Sequence, residues 1–172
     1  MNIRKLIGFI FLGVLVFGEA MAKDLAVTLK LVDIYAEKTA DPSGDAVYFN
    51  ITQYSNLGHS KEGRVPAYPG HWLSKQLPSL KNLTLWRGSL KENESIKLIL
   101  SLGEQESSAW EVSTSIGAAQ LTLENKGGKL KKTWTVPIFE EKEEVEMLKK
   151  DDKERFVFKG AGSRYDVGFE IE

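Results

Sequence analysis

The sequence predicts an all-β protein, an antiparallel β-sandwich of about seven to eight strands. Short segments with apolar residues at every second position recur along the chain, and clusters of Gly, Pro, Asn and Asp separate them. Only residues 140–153 carry a charge pattern that suits a helix, with acidic residues first and lysines last. Many short alternating segments joined by turns, with little helix, are typical of sandwiches.

The first part of the domain contains two strands with clear alternation. Residues 27–35 place apolar side chains at every second position, and residues 47–52 do so again after a turn at residues 41–45. That turn has the sequence Asp-Pro-Ser-Gly-Asp, which is rich in turn formers. Residues 54–80 contain several glycines and prolines that interrupt strand pairing, so we expect a long irregular connection there.

The rest of the chain alternates between strands and turns. The predicted strands are residues 82–87, 96–102, 120–123, 129–136, 155–159 and 165–171. In the last of them, the alternating residues form an inward stripe: Tyr165, Val167, Phe169 and Ile171. Turns are expected at residues 88–94, 125–128 and 160–163, and a polar loop at residues 103–115. Residues 140–153 fit two alternatives equally well: a helix, or a strand over residues 144–148 that turns at Asp151 and Asp152.

The first 22 residues have the pattern of a cleaved secretory signal. Arg4-Lys5 precedes an apolar run over residues 6–17, and residues 20–22 (Ala-Met-Ala) supply the small side chains that a signal peptidase requires. The run is short for a hydrocarbon core of roughly 30 Å. We therefore expect an exported protein, periplasmic or secreted, with one domain over residues 23–172 and no transmembrane segment in the mature chain.

The composition argues against several functional classes. The chain has no cysteine, which excludes zinc–thiolate sites, cysteine nucleophiles and iron–sulfur clusters. Lys and Arg number 23 against 24 Asp and Glu, so no basic excess suggests nucleic acid as a partner. The sequence leaves the oligomeric state open.

Catalytic motifs are also missing from the sequence. His59 and His71 are the two histidines, and both lie in residues 54–80. Neither Gly-x-Ser-x-Gly nor His-Glu-x-x-His occurs. We therefore expect a protein that is not an enzyme, with a hydrolase that uses carboxylates or His71 as a third hypothesis.

Two segments share an order of motifs with a known fold. Residues 31–35 form a strand that leads through the acidic turn at residues 41–45 into an aromatic strand at residues 46–49. Residues 113–117 (Ser-Thr-Ser-Ile-Gly) open the strand at residues 120–123. This order resembles the C2-like β-sandwich, a fold best known for calcium-dependent phospholipid binding.

The resemblance implies a calcium site between two loops. The acidic residues at the matching positions are Asp41 and Asp45 in the first loop, and Glu104 and Glu106 in the third. Calcium needs six to eight oxygen ligands, and the third loop, residues 104–111, departs from the C2 pattern because it contains no aspartate. The alternative is that Asp41 and Asp45 order a turn through side-chain hydrogen bonds while the glutamates are solvated.

The aromatic residues suggest two further roles. Trp110 lies in the polar loop beside the acidic positions, where a C2 domain can insert an apolar side chain into lipid; the alternative is that Trp110 caps the end of the sandwich. The other candidates for a carbohydrate or peptide groove are Trp72, Trp86, Trp134, Tyr48, Tyr54 and Tyr68.

Besides the hydrolase, the sequence leaves two functional hypotheses. The first is a C2-like module that binds calcium or membrane lipid through residues 37–46, 103–115 and 159–164. The second is a protein-interaction or structural module without metal, in which a sandwich face or residues 54–80 contact a protein partner.

Overall fold

Two antiparallel sheets packed face to face form the fold. The structure is a computed structural model that describes residues 23–105, 114–136, 144–150 and 153–172. The predicted all-β sandwich is confirmed, and its architecture is compatible with a C2-like fold. The described residues form eleven strands, more than the seven to eight expected.

In the described part of the chain, the strands follow one another with one short helix between them. Their bounds are β1 Leu25–Lys38, β2 Ala46–Ser55, β3 Ser60–Val65, β4 Trp72–Leu73, β5 Leu83–Leu90, β6 Ser95–Glu104, β7 Thr114–Lys126, β8 Lys129–Thr135, β9 Glu144–Lys150, β10 Lys153–Gly160 and β11 Ser163–Ile171. A 3-10 helix covers Ser74–Ser79. Sheet A has the order β5-β1-β11-β10-β9, and sheet B has the order β3-β2-β6-β7-β8, with β4 paired to β2.

Alternation along the strands produces the core between the sheets. On β1, Leu29 and Leu31 are fully buried, and the next fully buried residue is Ile34. The change of phase follows from a bulge between Leu31 and Asp33, because one extra residue moves every later side chain to the opposite face. On β11 the predicted stripe is confirmed at Tyr165, Val167 and Phe169, which are fully buried.

Aromatic rings join the two sheets at the centre of this core. Phe49 of sheet B meets Phe158 and Phe169 of sheet A edge-to-face, with ring centroids 6.3 and 5.9 Å apart. Trp134 on β8 stacks against Phe169 at 5.4 Å. Such pairs contribute about 0.5–1.5 kcal/mol beyond the area that they bury.

The expectation of an irregular connection over residues 54–80 is wrong. Residues 60–65 form β3, which pairs with β2, and residues 72–79 contain β4 and the 3-10 helix. The strand β3 lies at the edge of sheet B, and its first four residues are exposed. An edge strand buries few side chains, so its sequence lacks the apolar alternation on which the prediction depended.

The structure also decides the alternative left open for residues 140–153 and shortens two predicted connections. Of the two alternatives for residues 140–153, the strand is correct, because β9 covers Glu144–Lys150 and pairs with β10. The strands β6 and β7 extend to Glu104 and back to Thr114, which shortens the predicted loop at 103–115 from both sides. The strand β5 runs on to Leu90, so the turn expected at residues 88–94 is also shorter.

The expected secretory signal, residues 1–22, lies outside the described residues. Within the described part of the chain, no helix has the length and apolar character needed to cross a membrane.

Candidate functional site

The turn between β1 and β2 is ordered by its own side chains. The Asp41 carboxylate accepts hydrogen bonds from the backbone N–H and the hydroxyl of Ser43, at 2.7 and 2.8 Å. The N–H of Gly44 donates to the carbonyl of Asp41 at 2.9 Å. Gly44 has a φ of +101°, and a Cβ there would lie 2.5 Å from Ser74 Oγ, so this position requires glycine.

Asp41 therefore behaves as the turn alternative describes. Its side chain is exposed, and the hydrogen bonds from the backbone and hydroxyl of Ser43 lower the pKa of its carboxyl group. The carboxylate is charged at neutral pH. One of its oxygens is engaged by Ser43, and the exposed side chain faces the solvent side of the turn.

Asp45 has the opposite environment, because it is buried with only 1% of its surface exposed. Its Oδ2 accepts hydrogen bonds from the hydroxyls of Tyr165 and Ser163 at 2.5 and 2.6 Å. Its Oδ1 accepts one from the backbone N–H of Asp41 at 3.0 Å. The carboxylate thereby joins the turn before β2 to the start of β11, which lies in the other sheet.

Tyr165 and Ser163 complete this buried network. Burial, followed by the hydrogen bond to Asp45 and the negative charges of Asp45 and Glu104, raises the pKa of Tyr165. The hydroxyl therefore stays protonated and remains a donor. Ser163 Oγ also accepts a hydrogen bond from the N–H of Ala40 at 2.9 Å, so Ser163 links β11 to both ends of the turn.

A polar cavity of about 340 Å³ opens beside this network at one end of the sandwich. We call it the loop-end cavity. It is lined by Asp41, Ser43, Gly44, Ala46, His71, Glu104 and Gln105. Asp41 and Glu104 therefore line the same cavity, although 63 positions separate them in the sequence. The backbone bond from Gln105 N to Ala46 O, at 2.7 Å, fixes the two walls relative to each other.

The four predicted calcium ligands are not equivalent in the structure. Asp45 does not line the cavity, and a cation that used it would have to replace hydroxyl and amide donors inside the fold. Asp41 and Glu104 remain suitable oxygen donors on the cavity wall. The described residues contain no group of three metal-binding side chains. Glu106 and Trp110 lie outside the described residues, so their roles stay predictions.

The two histidines lie at opposite ends of sheet B. His71 precedes β4, which pairs with Val47, whereas the carbonyl of His59 accepts a hydrogen bond from Ser55 at the other end of β2. Eight residues of strand separate Val47 from Ser55, about 26 Å. The two imidazoles therefore cannot share a metal ion or a substrate atom. Both side chains are exposed.

The aromatic candidates divide into two groups. Trp72, Trp86 and Trp134 pack against the core, and Tyr48 is 4% exposed. Tyr54 and Tyr68 are 48% and 77% exposed and lie on or beside the outer surface of sheet B.

Sequence reasoning missed Ser163 and Tyr165 as partners of Asp45. A signal existed for Tyr165, because it lies on the predicted inward stripe of β11 and a buried tyrosine hydroxyl needs a hydrogen-bond partner. Asp45 directly precedes the buried strand β2, so it was a candidate acceptor. Ser163 carries no comparable signal, since serine is common in turns.

Comparison with known proteins gives no further identification. No protein-family model matches the chain, and no curated protein matches it in sequence.

Proposed function

We propose that this chain is an exported, non-catalytic binding module of C2-like architecture whose ligand occupies the loop-end cavity. The observation that carries the proposal is the meeting of the turn at residues 41–46, His71 and residues 104–105 around one open polar cavity. Binding sites of β-sandwiches commonly lie on loops held by a rigid scaffold. Here the scaffold is the buried Asp45 network directly beneath the turn.

The chemistry of the cavity favours a cationic ligand. Asp41 contributes a carboxylate whose pKa is lowered, and Glu104 contributes a second carboxylate on the facing wall. Gln105 adds no charge, and its Oε1 accepts a hydrogen bond from Arg64 Nη2 at 2.6 Å. Calcium is the cation that the resemblance implies, with Asp41 and Glu104 as ligands from the described residues and Glu106 as a further one. Asp45 acts in this proposal as the support of the turn.

Thermal unfolding in excess EDTA and in millimolar calcium tests the proposal. A ligand present at about 100 times its dissociation constant adds about 2.7 kcal/mol to the free energy of unfolding. For a domain of this size, the midpoint should rise by roughly 5–10 °C. Magnesium at the same concentration should have a smaller effect, because it demands a tighter octahedral site.

A matched pair of variants locates the site. In Asp41→Asn, the amide oxygen can still accept the hydrogen bonds from Ser43, so the turn persists while one negative charge is lost. The calcium-dependent shift should shrink in this variant and persist in Glu92→Gln, which removes a charge from the exposed turn before β6. An unchanged shift in Asp41→Asn would place the cation elsewhere. No shift in the wild-type protein would refute calcium and favour the protein-interaction hypothesis.

If calcium binds, the next question is lipid. Trp110 is the predicted membrane contact, and sedimentation with anionic vesicles in calcium, compared between the wild-type protein and Trp110→Ala, tests it directly. We expect calcium-dependent sedimentation that the variant loses. Sedimentation that is equal in EDTA would contradict the C2-like mode of binding.

A further inference from the structure

Sheet B carries two further hollows on the face turned away from the core. A hollow of about 390 Å³ is lined by Asn50, Thr52 and Arg64 among others, and one of about 520 Å³ by Tyr54, Lys97 and Gln120 among others. The two hollows adjoin, because Asn50, Thr52 and Tyr54 follow each other on the same face of β2. We call the pair of hollows the outer groove.

Arg64 lies at one end of the outer groove, between two tyrosine rings. Its guanidinium carbon is 3.6 Å from the ring centroid of Tyr48 and 5.4 Å from that of Tyr68. Its Nη2 donates to the carbonyl of Gly70 at 3.0 Å and to Gln105 Oε1 at 2.6 Å. Both acceptors are neutral, and no salt bridge joins Arg64 to a carboxylate among the described residues.

A glycine under Tyr48 makes room for this stack. Tyr48 lies directly over Gly103, where a Cβ would be 2.9 Å from the ring. Glycine at this position lets the ring lie flat against sheet B, and the guanidinium lies on top of the ring. Arg64 Nε is enclosed and has no hydrogen-bond partner in the described part of the chain. The cation is thus held in place by ring faces and neutral acceptors.

A second cation lies further along the groove. Lys97 is exposed on β6 and is the cross-strand partner of Tyr54, whereas Arg64 is the partner of Asn50. Four residues of β2 separate the two rows, about 13 Å. Lys97 has no salt bridge to any described residue. Glu62 contributes one carboxylate to the groove, which leaves the groove with a net positive charge.

The remaining groups suit a sugar better than a peptide. The exposed ring of Tyr54 lines one hollow, and the exposed ring of Tyr68 lies beside Arg64 at the other end of the groove. The amides of Asn50 and Gln120 can both donate and accept hydrogen bonds. The strand β2 is already paired on both sides, with β3 and β6, so a peptide cannot add a strand to it. Neither of the two hollows is a deep apolar groove of the kind in which a peptide helix would bind.

We propose that the outer groove binds a short oligosaccharide that carries carboxylate groups. The carboxylates contact Arg64 and Lys97, and the rings of Tyr54 and Tyr68 lie against the sugar rings. Amide groups between these ends bond to sugar hydroxyls. Arg64 Nη2 is already bonded to Gly70 and Gln105 and Nε is enclosed, which leaves Nη1 to donate a charge-assisted hydrogen bond to a carboxylate. This site is separate from the loop-end cavity and does not depend on the function proposed for it.

Calorimetric titration of the whole protein with a panel of acidic oligosaccharides tests the proposal. The panel consists of oligogalacturonate, alginate oligomers and hyaluronan oligomers, and the control is fully methyl-esterified oligogalacturonate, which has the same rings without charge. We expect binding to at least one acidic member, weakened by added salt. The methyl ester should bind at least about tenfold more weakly than the acid, because it loses a charge-assisted hydrogen bond.

Variants on exposed residues assign the binding to this face. Lys97→Glu and Tyr68→Ala should each weaken binding about tenfold or more, whereas Lys38→Glu, the same charge change on sheet A, should leave it unchanged. Asp41→Asn and EDTA should also leave it unchanged, which separates this site from the loop-end cavity. Binding to no member of the panel, equal binding of the methyl ester, or equally strong binding of poly-glutamate would each overturn the proposal.

Discussion

The hydroxyl of Tyr165 is the most informative single group to remove. Tyr165→Phe keeps the fully buried ring and deletes the donor that lies 2.5 Å from Asp45 Oδ2. The Asp45 carboxylate keeps its hydrogen bond from Ser163 at 2.6 Å. A hydrogen bond to a charged group contributes about 1.5–3 kcal/mol. We therefore expect the free energy of unfolding to fall by that amount, with the midpoint of thermal unfolding lower by roughly 3–12 °C.

A matched deletion on the surface provides the control. Tyr35→Phe removes a hydroxyl that accepts a hydrogen bond from Lys81 at 2.9 Å, on a side chain that is 39% exposed. Water replaces such a bond, so the expected change is about 0.5 kcal/mol or less. Urea unfolding at pH 7 measures both variants. If Tyr165→Phe lowers stability no more than Tyr35→Phe does, the buried network does not stabilise the fold as we argue.

Three further predictions concern charge. Folding raises the pKa of Tyr165, so above about pH 10 the unfolded chain loses this proton before the folded protein does. The free energy of unfolding should therefore fall above about pH 10, and it should fall less steeply in Tyr165→Phe than in the wild-type protein, as measured by alkaline unfolding curves. Arg155 contacts Asp33 and Asp166 at 2.9 Å each, so Arg155→Ala should lower the free energy of unfolding in urea by about 1–3 kcal/mol. Arg155→Lys should restore only part of this stability, because an ammonium group lacks the planar guanidinium fork that reaches both carboxylates. Full restoration by Arg155→Lys would contradict a bridging role. Burial opposes ionisation of Glu94, but hydrogen bonds from Ser55 Oγ and Lys91 N outweigh it and lower its pKa from 4.5. Glu94→Gln should therefore lower the free energy of unfolding at pH 7 by about 1–2 kcal/mol, and in acid titrations this difference should shrink as the pH falls below 4.5. A difference that stays constant with pH would show that the charge of Glu94 is not responsible.

The central strands of the fold could be predicted from the sequence because they bury one face. The hairpin of β7 and β8 around residues 125–128 and the stripe on β11 follow directly from alternation and glycine placement. The strand β3 could not be predicted in this way. It lies at an edge, where pairing with β2 supplies its stability and exposed side chains carry no pattern.

The candidate sites were predictable only in part, for a related reason. The turn at Asp41 and Asp45 is local, and its composition alone predicts the hydrogen bonds within it. The partners of Asp45 on β11 are about 120 residues away in sequence, and no local pattern joins them. The stack of Tyr48, Arg64 and Tyr68 could not be predicted from the sequence either, because it depends on the pairing of β3 with β2.

The position of β11 in sheet A has a consequence for how the chain folds. β11 lies between β1 and β10, and it pairs with β1 from Leu29↔Ile171 to Lys38↔Arg164. The two neighbouring strands at the middle of this sheet are therefore the first and the last along the described chain. Until β11 is in place, β1 has only β5 beside it, and one edge of β10 is open. Contacts of such long sequence separation are slow to form, so we expect sheet A to complete late, with the open edges as the point at which a chaperone or an aggregating neighbour would meet the unfinished protein.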